Sequence, residues 1–69
     1  AIVIQSRAPD DLVWRDEVWR RNHFTAFMTA KAKARLTGRI YRLVDQNGVV
    51  LGKFETSHPP QAGDSETLL

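Results

Sequence analysis

A chain of 69 residues carrying a net charge of +2 has room for one domain at most, and a domain of that size buries only about 60% of its unfolded surface. The absence of cysteine excludes disulfides and thiolate metal sites. No apolar run comes near the roughly 20 residues that a membrane-spanning helix needs. The opening "AIVI" also falls short of the about 7 to 15 apolar residues of a signal-peptide core, so a soluble, intracellular, cytoplasmic chain is expected, with no membrane partner.

In chain order, "AIVIQS" at residues 1–6 is β-branched and apolar, the composition of a short strand. Its start leaves open whether the chain is a complete protein or a domain cut from a larger one. "APDD" follows as punctuation. Pro9 suits the first turn of a helix, and Asp10, Asp11, Asp16 and Glu17 suit the positive end of its dipole. From there, Leu12, Trp19, His23, Ala26, Phe27, Ala30 and Ala34 share one side of a 3.6-residue wheel. Gly38 is the natural stop, with Lys31, Lys33 and Arg35 near the negative end.

Within this segment, Ala30, Ala32, Ala34 and Leu36 alternate with Lys31, Lys33, Arg35 and Thr37, which is also the period of a half-buried strand. Alanine is a poor strand former and the apolar stripe runs on unbroken, so helix is favoured. One helix over residues 10–37 would measure roughly 40 Å, twice the roughly 20 Å of a short strand. Either it breaks near Asn22-His23 into two, or its excess length packs on a partner. Trp14 and Val18 lie off the stripe, which favours one of those two outcomes.

The strongest local signal is "RIYRLVDQNGVVLGKFE", two strand-like runs at 39–44 and 49–55 around Asn47-Gly48. Asn-Gly is the preferred pair for a type I′ hairpin turn. Alternation places Tyr41, Leu43, Val50, Gly52 and Phe54 on one face. Ile40, Arg42, Val44, Val49, Leu51 and Lys53 then fall on the other. Residues 57–69, with Pro-Pro and Gly, read as a flexible tail. The expected fold class is α+β: a short N-terminal strand, one long or two short helices and a C-terminal antiparallel β-hairpin. Residues 1–56 would form this single module and 57–69 its tail.

No constellation for catalysis is visible. His23 and His58 stand apart from any acid or second ligand at metal spacing, and the glycines at 38, 48, 52 and 63 form no phosphate loop. Asp16 and Glu17, if helical, would point about 100° apart. A non-enzyme without cofactor or metal is expected.

The feature with most content is charge placement. Between Glu17 and Asp45 there is no acid, while Arg20, Arg21, Lys31, Lys33, Arg35, Arg39 and Arg42 fall in that interval. The remaining three cations are Arg7, Arg15 and Lys53. On a helix, Arg20, Arg21, Lys31 and Arg35 would cluster with Phe24 and Met28 among them. A solvated helix usually offsets such cations with acids at i±4, and none occurs here. Cations interleaved with aromatics suit nucleic acid, where they displace condensed counterions from phosphates. The leading expectation is therefore a non-catalytic basic module that binds nucleic acid through phosphate contacts by those seven residues, with little base readout. The alternative is a protein-interaction subunit that docks an acidic partner, with Trp14 and Trp19 anchoring the contact, since tryptophan favours protein interfaces. The leftover apolar surface predicts association with a partner or with a second copy.

Overall fold

The computed structural model describes residues 1–56; the expected tail at 57–69 and His58 lie outside them. Strand β1 (Ile2–Arg7) is followed by β2 (Arg15–Arg20), helix α1 (His23–Thr37), β3 (Ile40–Val44) and β4 (Val50–Phe54). The strands form one sheet in the order β2-β1-β3-β4, with every neighbouring pair antiparallel. The helix lies on one side of it. The α+β class with a C-terminal hairpin is thus observed, with one helix rather than two.

The first half of the expected helix is instead β2. "APDD" closes a turn, with Asp11 N–H donating to the Ala8 carbonyl and Val13 N–H to the Asp11 carboxylate. None of the four acids from Asp10 to Glu17 caps a helix. Val18 and Trp19 are good strand residues, and β1 offers them a free edge to pair with, Ile4 to Val18 and Val3 to Trp19. Helix begins where the break was expected. Asn22 is extended (φ −122°, ψ 162°), and its side chain accepts from Thr25 N–H at 2.8 Å. It ends at Gly38, whose φ of 75° and N–H bond to the Ala34 carbonyl make a left-handed cap. Fifteen residues span roughly 22 Å, which matches the strands below.

Only Ala26, Ala30 and Ala34 of α1 are buried. These small side chains let the helix sit close on Ile2, Ile4, Tyr41 and Leu43, with Val18 and Phe54 at the margins. Leu12 and Trp19, on the wheel by coincidence of spacing, lie outside the helix, and His23 is exposed at its first turn. The Tyr41 hydroxyl reaches Thr37 Oγ1 at 3.2 Å, which ties the helix end to β3.

The β3–β4 hairpin stands as expected, but its turn differs. Type I′ needs positive φ at both central residues; among the described residues no non-glycine has it, and Gly48 does, at 82°. Gly48 N–H donates to the Asp45 carbonyl and Asp45 N–H to the Val49 carbonyl, both at 3.0 Å. The Asp45 carboxylate accepts from Asn47 and Val49 N–H as well. That side chain organises a wider turn than Asn-Gly alone would. A register shift beside Val44 then pairs it with Val50, so Val50 moves off the face of Tyr41, Leu43 and Phe54 to the opposite one. Gly48→Val is expected to cost about 1 kcal/mol or more, because a β-branched residue is strained at this φ. Gln46→Thr should be neutral. Thermal melts compare the two, and equal melting temperatures for Gly48→Val and wild type would refute the strained turn.

Candidate nucleic-acid interface

The seven cations do not converge on one surface. Their placement follows from β2 being a strand and from the helix starting only at His23. Arg20 ends β2 with its guanidinium on the Trp19 carbonyl at 2.9 Å, and exposed Arg21 lies in the link to α1. Lys31 and Arg35 stand on the outer side of α1, where helical spacing aligns them with Phe24 and Met28 in one stripe. Phe24 is 72% exposed and Met28 48%. Among the described residues none of these four cations is paired with a carboxylate.

Lys33 and Arg39 belong to a second group. Glu17 lies 3.4 Å from the Lys33 ammonium and 3.9 Å from Arg39 Nε. Glu17 also accepts from the hydroxyl of fully buried Ser6, which in turn accepts from Arg39 Nε at 3.2 Å. A bulge makes this possible: β1 pairing steps from Ile4–Val18 to Gln5–Asp16, leaving Glu17 as the extra residue turned toward Ser6. The acid-free interval of the sequence is therefore not acid-free in space. No i±4 rule could have found Glu17, because its partners lie on another element.

Glu17 is held below the ordinary carboxylate range, first by the Ser6 hydroxyl and then by Lys33 and Arg39, with burial opposing. A group whose folded pKa is lowered contributes stability above its unfolded value, near 4.5, and loses it as pH falls through the folded value. Wild type is thus expected to lose melting temperature more steeply between about pH 5 and pH 3 than Glu17→Gln, which begins lower at neutral pH. Parallel pH profiles for the two proteins would remove Glu17 from the acid limb.

Arg42 is on the opposite side of the sheet. Its Nε donates to Gln5 Oε1 at 2.7 Å and its guanidinium lies 4.2 Å from the Trp14 ring centroid. Arg7 approaches the same ring at 5.1 Å. Trp14, a candidate interface anchor, is thus half-buried against its own chain. Trp19 is paired with Val3 and 56% exposed. The two tryptophans, expected on different helix faces, both lie on the sheet side away from α1.

Lys53, outside the acid-free interval, faces away from α1 with its cross-strand partner Arg42 but borders the α1–β4 groove at the sheet edge. It lines a groove of about 330 Å³ between α1 and β4 with Phe27, Lys31, Arg35 and Phe54. The floor is a Phe27–Phe54 edge-to-face pair at 5.1 Å, and Lys53 approaches Glu55 at 3.9 Å. Among the described residues no three His, Asp or Glu side chains gather as a metal site, and no helix is long and apolar enough to cross a membrane. No protein-family model, curated protein or solved structure matches the chain.

Proposed function

We propose that the chain is a non-catalytic module that binds nucleic acid mainly through phosphate contacts made by Arg20, Arg21, Lys31 and Arg35. The observation that carries this reading is the contrast within the cation set: these four lack a carboxylate partner among the described residues, whereas Glu17 holds Lys33 and Arg39. An unpaired cation can exchange condensed counterions for a phosphate, and a paired one must first give up its acid. Exposed Phe24, in the same helical stripe as Lys31 and Arg35, adds a ring available for stacking. Lys33, Arg39 and Arg42 contribute less in this reading.

A second reading is an acidic protein partner docked on the same side. The α1–β4 groove favours it, because an apolar floor of Phe27 and Phe54 beside Lys31 and Arg35 suits a segment carrying both carboxylates and apolar side chains. Fluorescence anisotropy separates the two. Titration of two unrelated duplexes and one single strand at 50 mM salt should give binding below about 100 μM. Absence of binding to all three ends the nucleic-acid reading, and pull-down after nuclease treatment then tests the protein partner.

A further inference from the structure

The helix covers one side of the sheet, and the other side carries two ordered rows across all four strands. Cross-strand partners place Trp19, Val3, Val44 and Val50 in the first row and Asp16, Gln5, Arg42 and Lys53 in the second. The first row is apolar, and Trp19 and Val50 at its two ends are about half exposed. The second row begins with a carboxylate on β2 and ends with an ammonium on β4.

We infer that this face packs on the same face of a second copy of the chain, about a twofold axis parallel to the strands. Such an axis reverses the strand order and preserves the level along each strand. β2 then lies over the second copy's β4, and β1 over its β3. Trp19 meets Val50 and Val3 meets Val44 in the first row. Asp16, which accepts from Gln5 Nε2 within its own copy, meets Lys53 at both ends of the second. Gln5 and Arg42, bonded to each other within a copy, lie near the axis together with Trp14, whose ring is 4.2 Å from the Arg42 guanidinium on this same side. An in-plane axis perpendicular to the strands and midway between the rows would set one on the other, Trp19 on Asp16 and Val50 on Lys53. Both rows are therefore complementary only in the first arrangement. Four strands about 4.8 Å apart and five or six residues long present roughly 350 Å² in plan before side-chain relief. That is less than half of the about 800 Å² per partner of a standard interface, so only a weak dimer, with a dissociation constant on the order of 10 to 100 μM, is expected.

This inference is independent of the nucleic-acid reading, since α1 faces outward in both copies and Lys31 and Arg35 stay free. Sedimentation of the full chain from about 1 μM to about 1 mM (tenfold either side of that range) should show a monomer–dimer equilibrium. Trp19→Ser should abolish it while circular dichroism shows a folded chain. Asp16→Lys and Lys53→Asp should each weaken it about tenfold, because two attractive pairs become repulsive. Mixing those two variants should restore association as a heterodimer, in which each new lysine faces a new aspartate and the remaining Lys53 faces Asp16. A folded wild-type monomer throughout, or association unchanged by Trp19→Ser, or a mixture no tighter than its components, overturns the arrangement.

Discussion

Ala30→Leu should lower the melting temperature by about 10 °C, while Ala32→Leu leaves it within a few degrees. Leucine and alanine are both strong helix formers, so propensity changes little in either variant. The difference lies in where the added atoms go. Ala30 is fully buried between Ala26 and Ala34 against the sheet, and Ala32 faces outward. Three extra carbons at position 30 must lift α1 off Ile4 and Leu43 or force side chains off their rotamers, at a cost of about 1–3 kcal/mol. Each kcal/mol corresponds to about 4–8 °C in a domain of this size. Thermal melts followed by circular dichroism decide it. Equal losses in the two variants would mean that the alanine stripe does not set the helix-to-sheet distance.

Arg21→Ala, Lys31→Ala and Arg35→Ala together should reduce the slope of log K against log salt by about two to three for duplex DNA, since each lost phosphate contact withholds about 0.9 counterion. Two unrelated duplexes should weaken by similar factors, because phosphate contacts carry no base information. Lys33→Ala with Arg39→Ala should change the slope by less than about one, and instead lower stability by freeing Glu17 from both of its cations. Anisotropy at several salt concentrations reads all three proteins. A slope that falls more for the Lys33/Arg39 pair than for the triple would place the phosphates on the Glu17 side of the helix and sink the assignment of contacts.

Residues 1–6 and 39–55 were legible because their signals are local. β-branched runs and Asn47-Gly48 act within a few residues of one another. Asn22 and Gly38 mark both helix ends for the same reason. Residues 12–20 were not, because "LVWRDEVWR" carries apolar residues compatible with either period, and Leu12 and Trp19 happen to extend the stripe of Ala26, Ala30 and Ala34. What decided for a strand was the free edge of β1, with Val18 opposite Ile4. The turn type escaped because Asp45 competes for the same backbone donors that Asn-Gly would leave to the hairpin.

Residue types and charges by themselves determined a small cysteine-free α+β chain with its cations gathered in one interval. They also determined where the hairpin turns and where the helix stops, whereas its start reads at Pro9 and Asp10, with a break near Asn22-His23 as one alternative. Only the tertiary structure decided which cations remain free. Glu17 is 16 positions from Lys33 and 22 from Arg39 in the sequence, yet a bulge in β2 turns it toward both and toward Ser6. Likewise Arg42 left the cationic set when strand alternation put its guanidinium against the Trp14 ring, on the side that α1 does not cover. Capping and turn chemistry depend on neighbours along the chain, whereas ion pairing and facing depend on which strands meet. That is settled by burying Ile4, Tyr41 and Leu43 under the alanines of α1.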